Sequence, residues 1–129
     1  MRHLILVLFF FLFTTPAVAE KPTSEQFLSL LIRSADVRLT SNNLGCTHKS
    51  LGSYFSFLLS TAADKDKRQN LTTSTECQPM KVAGHWRCSY YINILDIDSG
   101  DPWNYGITVT FRKGQEILEQ HQVSCPGAA

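Results

Sequence analysis

Residues 86–95 read WRCSYYINIL and residues 105–112 read YGITVTFR. In both stretches apolar and polar side chains alternate, which is typical of a β-strand with one buried face and one open face. The segment between them holds the turn-forming cluster Asp98-Ser99-Gly100-Asp101-Pro102. The two stretches are therefore predicted to pair as an antiparallel hairpin.

The register of this hairpin is predicted from its apolar positions. One register places apolar side chains opposite one another on a single face, in the pairs Ile94–Ile107, Ile92–Val109 and Tyr90–Phe111. The other face then carries mainly polar side chains, namely Ser89, Tyr91, Asn93, Thr108, Thr110 and Arg112. One face is expected to pack on a core while the other meets solvent.

Two further strands are predicted around the hairpin. A strand from about Gln115 to Ser124 follows the turn at Lys113-Gly114, and its register stays open because Ile117 and Leu118 favour opposite faces. A strand from about Leu71 to Lys81 precedes the hairpin. Pro79 assigns that strand to the edge of the sheet, because proline has no N–H to donate to a second neighbour.

Two helices are predicted before the strands. Thr23 and Gln26 have the spacing of a capping box, and apolar residues recur at helical spacing from about Ser24 to Leu39. Ser50 can cap a second helix that ends near Asp64. Its apolar stripe consists of Leu51, Tyr54, Phe55, Leu58, Leu59 and Ala62.

The predicted fold class is α+β, with two N-terminal helices packed on a four-stranded antiparallel sheet. This order of elements resembles a cystatin-like or NTF2-like layout. The resemblance covers element order alone, so it implies a fold and carries over no functional residue.

The N-terminus has the pattern of a signal peptide. Residues 4–13 form an unbroken apolar run after the basic Arg2, and Ala17 and Ala19 occupy the small positions of a cleavage site before Glu20. As a helix the run would span roughly 15 Å, about half of a hydrocarbon core, so no membrane anchor is expected after processing. The predicted organisation is a signal peptide at 1–19 and a single domain at 20–129.

The predicted location is the bacterial periplasm, with secretion from a eukaryote left open. The short apolar run and the small residues at the cleavage site suit a bacterium. Asn70-Leu71-Thr72 is a glycosylation sequon that has meaning only in a eukaryotic secretory pathway, and whether Asn70 is glycosylated stays open.

Four cysteines in an exported domain predict two disulfides. If Met80 faces His85 across a short loop, Cys77 stands directly opposite Cys88 at bonding distance. In the predicted sheet Cys88 begins one strand and Cys125 ends another, which separates them by about eight residues, or roughly 26 Å. The predicted pairs are Cys77–Cys88 and Cys46–Cys125.

Composition and motifs exclude several function classes. Without Arg2 the chain has eleven basic and eleven acidic residues, and a neutral domain is a poor binder of nucleic acid or anionic membranes. No cofactor or phosphate motif is present, so no cofactor is predicted. Two metal sites are weaker alternatives than a disulfide framework and a hairpin turn: a zinc set built from His85 and Cys88, His121 and Cys125, with Cys77, and a calcium loop from Asp96 to Asp101.

The leading functional hypothesis is a small binding protein that acts on a protein partner in the cell envelope, such as an inhibitor or immunity protein. A large aromatic residue beside a turn can anchor a protein interface, and an acidic turn can match a basic patch. The predicted partner-binding residues are Asp98, Asp101, Trp103, Tyr91, Asn93, Thr108 and Thr110. Two alternatives stay open: an accessory component of an envelope assembly or secretion system, and a small enzyme that uses the open sheet face with His85 or His121 as a base. The oligomeric state is also left open.

Overall fold

The structure is a computed structural model, and it describes residues 20–40, 42–63, 71–95 and 99–128. The predicted signal peptide, Asn70 and Asp98 lie outside the described residues. Within the described ranges, no helix is long and apolar enough to cross a membrane.

Helix α1 (Ser24–Arg33) begins at the predicted capping box and ends earlier than predicted. The Gln26 amide donates to the Thr23 hydroxyl, and the Thr23 amide donates back to the Gln26 side chain. The extension to Leu39 is wrong, because the backbone after Ser34 leaves the helix and runs beside the segment before the second helix. There the Leu39 amide donates to the Lys49 carbonyl at 3.0 Å. Leu39 is still buried, so the apolar spacing reflects a shared core and not a continuous helix.

Helix α2 (Leu51–Ala63) begins after Ser50, as predicted. The Ser53 amide donates to the Ser50 hydroxyl at 3.2 Å, which satisfies one of the free amides at the helix start. Gly52 allows this start to approach the chain after α1 closely, since a Cβ at position 52 would lie 2.9 Å from the Ala35 side chain. The stripe Leu51, Tyr54, Phe55 and Leu58 is buried against α1 and the sheet.

Three long antiparallel strands form most of the sheet, which confirms the α+β class. They are β1 (Leu71–Pro79), β2 (His85–Leu95) and β3 (Pro102–Arg112), in that spatial order. Two short strands, β4 (Val123–Ser124) and β5 (Gly127–Ala128), both pair with β3. Strand β1 lies at the edge, as Pro79 predicts.

The predicted β2–β3 register is wrong by four residues. Tyr90 lies opposite Ile107 and Ile92 lies opposite Tyr105, whereas the prediction paired Ile94 with Ile107. An even shift keeps every side chain on its predicted face, because side chains alternate with a period of two. The observed register pairs the whole of His85–Leu95 with Pro102–Arg112, whereas the predicted one would set residues 85–88 opposite residues 113–116, beyond the end of β3.

The predicted strand at Gln115–Ser124 is largely wrong. Only Val123 and Ser124 pair with β3, and a turn of 3₁₀ helix at Gln120–Gln122 precedes them. The segment docks through the buried Leu118, whose amide donates to the Ser34 hydroxyl at 2.8 Å, while Ile117 is 59% exposed. The conflicting parity of these two neighbours fits a loop that buries a single side chain.

The structure contains the disulfides Cys46–Cys125 and Cys77–Cys88, the same pairs at which the sequence analysis arrives. The predicted register Cys77 opposite Cys88 is confirmed. The predicted long offset between Cys88 and Cys125 is wrong, because Val109 lies opposite both Cys88 and Val123. Strand β3 lies between Cys88 and Cys125. Neighbouring strands are about 4.8 Å apart, so the two cysteines are separated across the sheet.

Candidate partner-binding face

The sheet has one face that packs on the helices and one polar face. On the helix side Ile92, Ile107 and Val109 are fully buried. The polar face consists of alternate residues of the three long strands: Thr72, Ser74, Glu76 and Gln78 of β1; His85, Arg87, Ser89, Tyr91 and Asn93 of β2; and Asn104, Gly106, Thr108, Thr110 and Arg112 of β3. Apart from Ser89 and Gly106, these residues are exposed or half-buried.

Tyr91 is held in place on the polar face by a glycine. Its ring lies across Gly106 of the neighbouring strand, where an added Cβ would come within 2.6 Å of Tyr91 Cδ1. An aromatic ring that covers a strand glycine shields the exposed backbone and loses rotational freedom. The ring of Tyr91 therefore already packs against the neighbouring strand in the free domain, which lowers the entropy cost of using it in an interface.

The backbone of Gly106 also contacts the other side of the sheet. Neither β4 nor β5 pairs with Gly106, and its backbone hydrogen-bonds the Tyr54 hydroxyl. Burial raises the pKa of Tyr54; the Gly106 hydrogen bond opposes this rise, and the neighbouring Tyr105 adds to it. Burial also raises the pKa of Tyr90. Both phenols are therefore neutral at physiological pH, and Tyr54 links the helix layer to the strand beneath Tyr91.

A small hollow of about 130 Å³ lies in the middle of the polar face. Its floor contains a hydrogen bond of 2.8 Å between the hydroxyls of Ser89 and Thr108. Its walls carry a carboxylate and a guanidinium, and the lining residues are Glu76, Gln78, Arg87, Ser89, Tyr91 and Thr108. These groups can donate and accept hydrogen bonds and can meet a charge of either sign, which suits a polar side chain of a partner.

Four of the predicted binding residues share the polar face, and Trp103 does not. Tyr91, Asn93, Thr108 and Thr110 lie together on it. Trp103 lies on the helix side, opposite Ile94, because it shares the strand parity of the buried Ile107. Asp101 is exposed just before β3 begins. The predicted set is therefore not one continuous surface, and its role in partner binding stays a prediction.

We expect Trp103→Ala to affect stability and not partner capture. Trp103 lies opposite the buried Ile94 on the helix side and is 37% exposed, so its truncation should lower the free energy of unfolding by about 2 kcal/mol, less than for a fully buried tryptophan. Thermal melting and a capture assay on the same variant check this. Loss of capture with an unchanged melting temperature would show instead that Trp103 belongs to the interface.

Glu76, Gln78 and Arg87 line the central hollow, although they are not among the predicted binding residues. The parity of β2 that places Ser89 and Tyr91 on the polar face also places Arg87 there, so the signal was present. Glu76 and Gln78 follow from the Cys77–Cys88 register, which places them opposite Ser89 and Arg87 on that face.

The three described histidines lie in separate places with different neighbours. His85 lines a hollow of about 390 Å³ together with Gln78, Pro79, Met80, Lys81, Val82 and Arg87, a set without a carboxylate or a hydroxyl. His121 is 76% exposed and pairs with Glu119 at 3.4 Å. His48 packs against the rings of Tyr54 and Phe57, each with centroids 5.1 Å away.

The zinc alternative is wrong, because all four cysteines are bonded in disulfides and cannot act as thiolate ligands. Among the residues that the structure describes, no group of three or more histidine, cysteine or acidic residues could hold a metal.

Comparison of the chain with protein-family models, curated proteins and solved structures finds no match.

Proposed function

We propose that the mature chain is an exported binding protein that docks a protein partner on the polar face of its sheet. The observation that carries this proposal is the open face of three long strands, on which Tyr91 is fixed over Gly106 beside Glu76 and Arg87. A rigid aromatic residue surrounded by paired polar groups has the composition of an interface centre.

The area of the polar face limits how much of an interface it can supply. Two strands of eleven residues and one of nine, side by side, cover at most about 36 Å by 14 Å, or roughly 500 Å². A standard interface buries about 800 Å² on each side. A partner must therefore reach beyond the sheet, and the exposed Asp101 just before β3 offers an acidic group for that contact.

A charge reversal on the polar face tests this proposal. Arg87→Glu changes an exposed side chain at the central hollow, and Arg38→Glu makes the same change at an exposed position away from the sheet. We expect capture of envelope proteins by the immobilised mature domain to fall at least tenfold for Arg87→Glu and to stay unchanged for Arg38→Glu. Equal capture by both variants would contradict docking on this face.

The cellular setting is part of the same proposal. Two disulfides fit a compartment outside the cytoplasm. We propose export by the signal peptide at 1–19, a periplasmic or secreted location, and a role as an inhibitor or immunity protein; an accessory role in an envelope assembly would use the same face. The cystatin-like or NTF2-like layout remains an expectation about the fold.

A catalytic role is less well supported, because the hollow beside His85 lacks a carboxylate or hydroxyl partner.

A further inference from the structure

A hollow lies at the end of the polar face where the chain turns from β1 to β2. This hairpin hollow has a volume of about 390 Å³ and is lined by residues 78–82, His85 and Arg87. Its volume is in the range of ligand-binding pockets, about 300–1,000 Å³. Pro79, Met80 and Val82 give it an apolar wall, and Val82 is 61% exposed. Burial of a partner's apolar side chain against this wall would be favourable.

Basic side chains surround the hairpin hollow. Lys81 and Arg87 line it, and both are exposed. The exposed Arg112 of β3 lies directly opposite His85 on the polar face, so its side chain is a neighbour of the hollow. This end of the face therefore carries lysine and arginine charges, while no carboxylate is among the residues that line the hollow.

These cations have no ion-pair partner within the described part of the chain. The acidic residue of the polar face is Glu76, whose carboxylate accepts a hydrogen bond from the Gln78 side-chain amide at 2.9 Å. The ion pair that the described residues do contain joins His121 to Glu119 and involves none of these cations. An anionic group supplied by a partner is therefore the electrostatic complement of this end.

The turn that carries the hairpin hollow is already ordered in the free domain. The Met80 amide donates to the His85 carbonyl at 2.9 Å, and the His85 amide donates to the Val82 carbonyl at 3.1 Å. The disulfide Cys77–Cys88 joins the two strands just before and after the turn. A turn that is fixed in advance lowers the entropy cost of binding.

We propose that the hairpin hollow binds an acidic segment of the protein partner, in which carboxylates flank an apolar side chain. This inference rests on the proposed docking of a partner on the polar face. The apolar side chain lies against Pro79, Met80 and Val82, and the carboxylates meet Lys81 and Arg87 at the rim. A purely apolar segment would cover these cations without pairing them, which costs free energy of desolvation.

The hairpin hollow is continuous with the polar face, which favours a peptide segment over a small anionic amphiphile. Gln78 and Arg87 line both this hollow and the central hollow of the face. A peptide segment that fills the hairpin hollow can therefore continue along the strands toward Ser89 and Thr108 and use their hydroxyls. A fatty acid has no further polar groups to place there.

Titration of the mature domain with short peptides tests this assignment. The probe is a blocked peptide of alternating glutamate and leucine, compared with glutamine–leucine and glutamate–serine peptides of the same length. We expect the glutamate–leucine peptide to shift the amide resonances of Met80, Lys81 and Val82 saturably, and to bind about fivefold more tightly than either control peptide. Its advantage over the glutamine–leucine peptide should shrink as salt is raised from about 50 to about 500 mM.

Charge reversal at the rim provides a matched pair of variants. Lys81→Glu places a carboxylate at the hairpin hollow, and Lys49→Glu makes the same change at an exposed position before α2. We expect Lys81→Glu to weaken binding of the glutamate–leucine peptide about tenfold and Lys49→Glu to leave it unchanged. Both side chains are exposed, so both variants should fold, and their melting temperatures check this.

Several outcomes would overturn the acidic segment. These are equal affinity for the glutamate–leucine and glutamine–leucine peptides, shifts away from the hairpin, and unchanged binding by Lys81→Glu. Saturation of the same amides by decanoate and not by the peptide would overturn it as well, since the occupant would then be an amphiphile. Docking on the polar face is judged separately: it stands if Arg87→Glu lowers partner capture although no peptide binds, and it fails if Arg87→Glu and Arg38→Glu capture the partner equally.

Discussion

Replacing Cys46 and Cys125 by alanine is expected to lower the free energy of unfolding by about 4 kcal/mol. The bond joins positions 79 residues apart, so it restricts the unfolded chain far more than a short loop would. It also holds the chain end, where the Cys125 amide donates to the Leu44 carbonyl at 2.8 Å. Chemical denaturation of the oxidised wild type and the double variant measures the difference.

The second disulfide provides the matched control. Cys77 and Cys88 are 11 residues apart, and the same chain-entropy reasoning gives about 3 kcal/mol for their removal. We expect the Cys46–Cys125 variant to be the less stable of the two. A variant without Cys46–Cys125 that unfolds at the wild-type denaturant concentration would show that the chain end contributes little to the fold.

We expect Gly45→Ala to destabilise the domain by on the order of 3 kcal/mol. Gly45 has a φ of 77°, in the left-handed region, and an added Cβ would overlap the carbonyl oxygen of Cys125. That carbonyl cannot move away easily, because Cys125 is bonded to Cys46 and its amide is bonded to Leu44. Thermal and chemical unfolding of the variant measure the loss.

Gly114→Ala separates the two causes of this loss. Gly114 has a φ of 85°, but nothing lies within 4 Å of an added Cβ, so only the left-handed conformation costs free energy, about 1 kcal/mol. Gly45→Ala should therefore be clearly the worse of the two. Equal losses would mean that the backbone at Cys125 adjusts and that the contact at Gly45 is not tight.

The elements predictable from the sequence are those with a strong local signal. The capping box of α1, the Ser50 cap and the faces of β2 and β3 all follow from spacing or parity, and the structure has each of them. The register of β2 and β3 does not follow, because a shift of four residues keeps the same apolar side chains on the same face. What separates the two registers is the start of β2, because residues 85–88 pair with β3 in the observed register and would face residues 113–116, which lie outside β3, in the predicted one.

Long-range packing explains the remaining errors. Leu39 continues the apolar spacing of α1, but its burial arises from a non-helical segment held by Lys49. Leu118 has strand-like neighbours, yet its amide pairs with Ser34, which is 84 residues away in the sequence. The error at the site is of another kind, because Trp103 shares the strand parity of Ile107 in either register and could have been assigned to the helix side from the sequence.

Site-specific photo-crosslinking in exporting cells tests docking on the polar face most directly. A benzophenone side chain at Thr110 lies on that face, and one at Ile32 lies on the exposed side of α1 as a control. We predict that the Thr110 probe yields one discrete adduct with a different protein, that Arg87→Glu abolishes it, and that the Ile32 probe yields none. An adduct from the Ile32 probe together with none from the Thr110 probe would contradict the account.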